Sequence, residues 1–99
     1  DMVVVRGLNM FPSMVAAVLN EFKELSGDYR ISLDHPPPYD SLPVIAELAE
    51  AHSAAPELAA QVVAIIKLRL GITAQVTLVP HGKFPLTEGK TKRVIRGYQ

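Results

Sequence analysis

Apolar residues recur every three or four positions in two stretches of the chain, which is the spacing of one face of an α-helix. The first predicted helix opens at Pro12-Ser13 and ends at Ser26-Gly27, and the second opens at Pro56-Glu57 and ends at Gly71. Proline suits the first helical turn, and glycine suits the C-terminal cap. The two apolar stripes consist of Val15, Val18, Leu19, Phe22 and Leu25, and of Ala59, Val62, Val63, Ile66 and Leu70.

Four other stretches favour β-strands. Val3–Val5 is a run of β-branched residues, and Tyr29–Leu33 and Ile72–Leu78 alternate apolar and polar residues, as strands with one solvated side do. Leu42–Leu48 also alternates, although the alanine-rich stretch 46–55 is compatible with a helix as well. The proline at position 43 fits a strand that starts at a sheet edge.

The order of these elements predicts the fold class. Arg6–Asn9 is predicted to be a loop, and the three prolines of His35–Asp40 predict a stiff turn. The resulting order is β-α-β-β-α-β, followed by a C-terminal tail of residues 83–99. Both helix stripes are buried if the helices lie on one face of an antiparallel sheet, which is the ferredoxin-like arrangement of the α+β class. With 99 residues, a single domain is expected.

Charge is distributed unevenly along a chain whose formal net charge is zero. The tail from residue 83 to residue 99 holds five basic side chains and one acidic one, whereas the rest holds five basic and nine acidic ones. This asymmetry suggests that the tail meets an anion, although a solvated terminus would look the same. No aromatic residue lies among the cations from Lys90 to Arg96, although Tyr98 follows them, and no recognition motif accompanies them, so no nucleic-acid partner is predicted.

Several classes of protein are disfavoured by what the sequence lacks. There are no cysteines, which excludes disulfides and thiolate metal sites. No apolar run approaches the roughly 18 residues of a membrane span, and no basic segment precedes the apolar residues at the N-terminus. We therefore predict no membrane partner, no signal peptide and a cytoplasmic location. The direct start of a strand after Asp1 is interpreted as a cut through a longer polypeptide.

Few residues indicate chemistry by their spacing. The histidines His35, His52 and His81 lie far apart and predict no metal site. Gly89-Lys90-Thr91 is similar to the end of a phosphate-binding loop, but Phe84 stands where that loop needs glycine. The remaining candidate is the tail around Lys90, where a proline and a glycine bracket several cations. A lysine carries a compact charge on a long stem, which suits contact with a phosphate or carboxylate.

Two segments near opposite ends of the chain resemble one known family. Asp1–Ser13, with the sequence DMVVVRGLNMFPS, is similar to the segment after the hinge in phenylacetate–CoA ligases. Pro85–Val94, with the sequence PLTEGKTKRV, resembles the C-terminal lysine motif of the same family. The separation of the two motifs is also that of the family. The resemblance implies that residues 1–99 are the C-terminal lid domain of an adenylate-forming acid–CoA ligase, whose partner is its own N-terminal domain.

The resemblance also implies a two-step reaction. ATP with Mg²⁺ and a small aromatic carboxylic acid such as phenylacetate would give an acyl-adenylate, and coenzyme A would then form the thioester. The N-terminal domain would hold most of the ATP and Mg²⁺, so the isolated chain is expected to be inactive. Lys90 would be the catalytic residue that contacts the carboxylate and the α-phosphate.

Further site residues follow from the same resemblance. Support for the lysine loop is expected from Pro85, Thr87, Gly89 and Arg93. The hinge and the loop on the coenzyme A side are expected to include Asp1, Arg6, Gly7 and Asn9. The chain departs from the family pattern at Ala16 and Ala17, where relatives usually carry acidic residues, and at Leu86, where they usually carry a basic one.

Two alternative functions remain open from the sequence. A ferredoxin-like domain of this size often serves as a ligand-sensing or dimerising module, and a homodimer is compatible with the pattern. The chain is also compatible with the lid of a related adenylating enzyme, such as the coenzyme F₃₉₀ synthetases. The large domain, rather than this one, would decide between the ligases.

Overall fold

The computed structural model describes residues 2–53, 56–84 and 92–98. Within these ranges, neither helix is long and apolar enough to cross a membrane. The helices are α1, Pro12–Leu19, and α2, Pro56–Leu70. The strands are β1, Val3–Val5; β2, Leu8–Met10; β3, Leu25–Leu33; β4, Leu42–Leu48; β5, Ala74–Val79; and β6, Val94–Arg96.

The main sheet has four strands in the order β5-β4-β3-β6. The α+β class with two helices is confirmed, and the arrangement is consistent with a ferredoxin-like fold. An antiparallel sheet was predicted, but the main sheet is mixed. Only β3 and β4 are antiparallel neighbours, whereas the pairs β4–β5 and β3–β6 are parallel. Helix α2 connects β4 to β5 as a crossover, and such a connection makes neighbouring strands parallel.

The first predicted strand lies outside the main sheet. β1 and β2 form their own antiparallel hairpin, with Val5 opposite Leu8. The turn between them is Arg6-Gly7, with φ angles of 49° and 80°, as a tight two-residue hairpin turn requires. The predicted loop was therefore too long, because Leu8 and Asn9 already belong to β2. The N–H of Arg6 donates to the carbonyl of Tyr39 at 2.9 Å and attaches the hairpin to the segment before β4.

Helix α1 begins at Pro12 as predicted but ends at Leu19, well before Gly27. Tight turns follow, in which an amide N–H donates to the carbonyl three residues earlier. Leu25 then opens β3 opposite Leu48, and an irregularity in the β3–β4 pairing lies between Leu25 and Tyr29. Gly27, with φ 97°, lies in that irregularity rather than at a helix cap. The prediction was wrong here because the apolar residues after α1 face the same core from a strand.

The core lies between the two helices and one face of the main sheet. Helix α1 contacts α2 and β3, and α2 contacts β5. Helix α2 has its predicted bounds, although Leu58 is buried in place of Ala59 and Val63. The largest fully buried side chains are Met10, Leu19, Ile31, Leu33, Leu42, Ile66, Val5, Val15, Val44, Val62 and Val94. The opposite side of the sheet, which we call the open face, presents Ser32, Ile45, Gln75 and Thr77 at least partly to solvent.

Two details of the sheet differ from the sequence prediction. Pro43 lies near the start of a central strand rather than an edge strand, paired with Gln75 of β5. The tail also supplies an unpredicted strand, because β6 pairs with β3 and buries Val94. The N–H of Ile31 donates to the carbonyl of Arg93 at 2.7 Å. The end of the tail is therefore part of the fold rather than a solvated terminus.

Candidate functional site

The predicted site residues divide into two groups. Asp1, Pro85, Thr87, Gly89 and Lys90 lie outside the described residues. The structure describes Arg6, Gly7, Asn9 and Arg93, together with the residues that flank the segment 85–91 on both sides. The geometry of the site is therefore built from the hairpin turn and from those flanking residues.

The hairpin turn presents a polar tip with an apolar surround. Arg6, Gly7 and Asn9 are all exposed. A Cβ added to Gly7 would meet nothing within 4 Å, so glycine is favoured here by the φ of 80° and not by crowding. The exposed apolar side chains of the hairpin and the residue after it are Met2, Val4, Leu8 and Phe11.

A second group of mostly polar residues surrounds the flanks of segment 85–91. We call it the anchor cluster; its members are Ser26, Asp28, Arg30, Glu47, His81, Gly82, Phe84 and Arg93. At its centre, one carboxylate oxygen, Oδ1 of Asp28, accepts hydrogen bonds from Nη1 of both Arg30 and Arg93. The Arg30 bond measures 2.6 Å.

Arg93 fixes the chain where it leaves segment 85–91. Besides its ion pair with Asp28, its Nη1 donates to the carbonyl of Tyr29 at 3.1 Å. Its guanidinium also lies 4.6 Å from the centroid of the Tyr29 ring, which is a favourable cation–π distance. Arg93 is therefore held by a charge, a carbonyl and an aromatic face, all on β3.

Arg30 fixes the chain where it enters that segment. Its guanidinium lies 4.3 Å from the centroid of the Phe84 ring, the last described residue before position 85. Only 7% of Arg30 is exposed. Its Nη1 also donates to the carbonyl of Tyr29 at 2.7 Å. A buried cation needs such partners, because removing it from water without them is costly.

Glu47 of β4 makes a second attachment at the same side. Its Oε1 accepts from the hydroxyl of Ser26 at 2.7 Å, and its Oε2 accepts from the N–H of Gly82 at 3.0 Å. Nδ1 of His81 lies 3.7 Å from Oε1. Only 7% of Glu47 is exposed, although it stands at one of the polar positions of a strand whose apolar and polar residues alternate. The turn at residues 80–83 covers it.

The electrostatics of the anchor cluster centre on Asp28. Burial raises the pKa of Asp28, but the hydrogen bonds and positive charges of Arg30 and Arg93 outweigh that effect, so the pKa lies below the usual 3.8. The carboxylate is therefore ionised at neutral pH. No buried side-chain nitrogen or oxygen lacks a partner among the described residues, so the cluster is internally satisfied.

The hairpin turn and the anchor cluster lie at opposite ends of β4. The hairpin attaches through Tyr39, before β4 begins at Leu42, whereas Glu47 lies at its far end. Arg30 lies opposite Ile45 in the neighbouring strand. At about 3.3 Å per residue, the distance from Leu42 to Leu48 makes β4 roughly 20 Å long.

Asp28 and Glu47 were not predicted as site residues. Each is a single carboxylate at a polar strand position, and such residues are usually solvated. The one signal for them in the sequence was that residues 83–99 are positively charged overall whereas residues 1–82 are negatively charged overall. The structure shows that part of the tail's positive charge is met within the chain, by Asp28, and not by an external anion alone.

A hollow of about 520 Å³ lies on the open face, at the end nearer the hairpin. Its lining includes Asp34, His35, Tyr39, Ser41 and Thr77. The Tyr39 hydroxyl donates to the carbonyl of His35 at 2.8 Å. Burial is the main cause, and the hydrogen bond to Tyr98 the second, of the rise in the pKa of Tyr39 to about 12. Across residues 2–53, 56–84 and 92–98, no group of three acidic or histidine side chains is arranged to hold a metal ion.

The comparison with known families identifies the chain. The family described as AMP-binding enzyme C-terminal domain matches residues 7–96. The chain belongs to this family. It is 34% identical over 99 residues to the phenylacetate-coenzyme A ligase of Escherichia coli, with 95% of the chain and 23% of that protein covered. It is 29% identical to the phenylacetate-coenzyme A ligase of Thermus thermophilus, with 96% and 25% covered.

Solved structures show the same domain. A 2-hydroxyisobutyryl-CoA ligase in the postadenylation state has a TM-score of 0.85 and 32% identity, with 97% of this chain and 21% of that chain covered. A crystallised domain of a phenylacetate-coenzyme A ligase from Bacteroides vulgatus has a TM-score of 0.81 and 29% identity, with 100% and 94% covered. The chain thus spans about a quarter of the length of the curated ligases that it matches.

Proposed function

We propose that this chain is the mobile C-terminal domain of an AMP-forming acid–CoA ligase of the phenylacetate–CoA ligase type. In this role it closes over an N-terminal domain and contributes Lys90 to the adenylation of an aryl-acetic acid. It then turns so that the Arg6–Asn9 side faces the site of thioester formation. The observation that carries the proposal is the family match over residues 7–96, which begins at Gly7 in the hairpin turn and includes the lysine segment.

The separation of the two groups supports a domain with two working positions. The hairpin turn and the anchor cluster lie towards opposite ends of β4, which is roughly 20 Å long, so each can face the N-terminal domain in a different position of this domain. Rotation of a rigid domain about a hinge exchanges one for the other. The neighbouring 2-hydroxyisobutyryl-CoA ligase has been crystallised both in a postadenylation state and in a thioesterification state with CoA.

Lys90 is the proposed catalytic residue of the adenylation step. A lysine ammonium between the acid carboxylate and the α-phosphate stabilises the negative charge that develops as the acyl–phosphate bond forms and pyrophosphate leaves. In this proposal, ATP and Mg²⁺ are held mainly by the N-terminal domain. Coenzyme A enters as the co-substrate of the second step.

The test uses the full-length ligase and separates the two half-reactions. Pyrophosphate release with ATP and phenylacetate measures adenylation, and thioester formation from supplied phenylacetyl-adenylate and CoA measures the second step. Lys90→Ala should slow adenylation about a hundredfold or more, which is the usual effect of removing one transition-state donor. Thioester formation should change much less. The exposed Lys92, two residues away, provides the matched control Lys92→Ala.

The outcomes distinguish the role of Lys90 from a general effect of charge. Equal losses in both half-reactions would contradict the assignment of Lys90 to adenylation. An equal loss in Lys92→Ala would mean that the net charge of the tail matters, rather than one placed ammonium. Activity unchanged in Lys90→Ala would leave the family membership intact and would favour a ligand-sensing or dimerising module.

Phenylacetate is the proposed acid because both curated relatives are phenylacetate-coenzyme A ligases. This domain resembles a 2-hydroxyisobutyryl-CoA ligase at a similar identity, so its sequence does not select the acid. The same logic applies to a related adenylating enzyme such as a coenzyme F₃₉₀ synthetase. Release of pyrophosphate should therefore be compared between phenylacetate and 2-hydroxyisobutyrate. A homodimer and a cytoplasmic location remain predictions.

A further inference from the structure

We propose that Asp28 is a positioning residue for adenylation, because its carboxylate ties both flanks of segment 85–91 to strand β3. The inference rests on the proposed function and adds a residue that does not touch the substrate. Asp28 acts through Arg30 on one flank and through Arg93 on the other.

The outgoing flank is held directly. Oδ1 of Asp28 accepts from Nη1 of Arg93, and the Tyr29 carbonyl accepts from the same nitrogen at 3.1 Å. One residue later, Val94 enters β6 and pairs with Ile31. The chain therefore becomes part of the sheet at the point where Asp28 holds it.

The incoming flank is held through Arg30. The same Oδ1 accepts from Nη1 of Arg30 at 2.6 Å, which fixes the plane of the guanidinium. The ring of Phe84 packs on that guanidinium, with 4.3 Å between Cζ and the ring centroid. The turn just before it is attached to Glu47 through the N–H of Gly82. Removal of the Asp28 charge would free the Arg30 head to turn and would take the support from Phe84.

This arrangement fits a positioning role because a single oxygen couples the two flanks. Two separate ion pairs would stabilise each flank alone, whereas a shared acceptor fixes their relative positions. A shift of about 1 Å in a reacting group costs as much as a hundredfold in rate. The consequence should appear in the half-reaction that uses Lys90, and the hairpin side of the domain should be unaffected.

The experiment compares full-length wild-type ligase with Asp28→Asn and with Lys90→Ala as the reference. Asp28→Asn keeps the shape and one acceptor oxygen but removes the charge. We expect kcat for pyrophosphate release to fall between tenfold and about a hundredfold, with KM for ATP and the rate of thioester formation from supplied acyl-adenylate within about twofold. Asp28→Glu should restore part of kcat, because it restores the charge on a longer stem.

A matched control removes another arginine-paired carboxylate. Glu21→Gln breaks the ion pair between Glu21 and Arg69, whose side chains are both half-exposed and belong to the α1 and α2 side. It should leave both half-reactions unchanged. A second variant, Phe84→Leu, tests the incoming flank without placing an unpaired charge in the domain. It should lower kcat for adenylation severalfold and spare thioester formation.

Three outcomes would overturn the inference. If Lys90→Ala is inactive but Asp28→Asn and Phe84→Leu adenylate at the wild-type rate, the positioning role is refuted. The proposed function would still stand. Equal losses in both half-reactions would show that Asp28 only stabilises the fold. Normal adenylation in Lys90→Ala would refute the proposed function and remove the group that Asp28 is said to position.

Discussion

Glu47 offers the sharpest test of how the turn before segment 85–91 is held. Its two oxygens accept from the Ser26 hydroxyl at 2.7 Å and from the Gly82 N–H at 3.0 Å. These two donors differ in kind. A hydroxyl rotates and both donates and accepts, whereas a backbone N–H only donates. The substitutions Glu47→Gln and Glu47→Met should therefore have unequal effects on the free energy of unfolding.

In Glu47→Gln, the amide oxygen replaces Oε2 and accepts from Gly82, while the amide nitrogen donates to the Ser26 hydroxyl. Both hydrogen bonds survive, but neither acceptor is charged, and such bonds are about half as strong as charge-assisted ones. We expect a loss of about 0.5–1 kcal/mol. In Glu47→Met, the volume is kept and the Gly82 N–H loses its partner. We expect a loss of about 2 kcal/mol, within the range for a hydrogen bond to a charged group.

The assay is urea unfolding of the 99-residue chain followed by circular dichroism, with Glu21→Gln as the matched surface control. A separate crystallised domain of a related ligase, of which this chain covers 94%, indicates that such a domain folds alone. The expected difference between the two Glu47 variants, about 1–1.5 kcal/mol, corresponds to about 4–12 °C in Tm for a domain of this size. Equal losses in Gln and Met variants would refute the view that the Gly82 N–H is the donor that depends on Glu47.

Two further predictions follow from backbone geometry and from charge. Gly7→Ala and Gly27→Ala both place a side chain at positive φ, but only at Gly27 would the new Cβ meet an atom, Oδ1 of Asn20, at 3.0 Å. Gly7→Ala should cost about 1 kcal/mol and Gly27→Ala more in urea unfolding, and a smaller loss at Gly27 would contradict this ranking. Since the pKa of Asp28 is lowered on folding, its stabilising effect is complete above the unfolded value of 3.8 and is lost as pH falls through the folded value. The stability difference between wild type and Asp28→Asn should therefore shrink below pH 3.8, and a constant difference would refute it.

The hairpin turn and the anchor cluster form two distinct polar surfaces of the domain. One presents Arg6, Gly7 and Asn9 at the tip of a small sheet that is attached to the core near Tyr39. The other surrounds the described flanks of segment 85–91 and is attached to β3 and β4 by two carboxylates, Asp28 and Glu47. Strands β3 and β4 connect the two surfaces, so the proposed rotation of the domain would move both together.

The sequence alone determined the elements that depend on local patterns. Helix α2 has its predicted bounds, because its fifteen residues of regular spacing begin with a proline and are followed by a glycine. Strands β3, β4 and β5 were each predicted from alternation, and the turn at His35–Asp40 from its prolines. The family was also evident from the sequence, because two motifs near opposite ends of the chain resemble the same family, and the family model matches residues 7–96.

Only the tertiary structure decided what depends on partners distant in the chain. The apolar stripe after α1 did not show that Leu25 belongs to a strand, because the same residues face the core in either conformation. The three-residue strand β6 has little local signal and exists through its pairing with β3. Asp28 and Arg93 are 65 positions apart. Their hydrogen bond depends on the sheet, which brings the two residues together. The sequence shows which residues carry opposite charges, but only the folded backbone determines which of them meet.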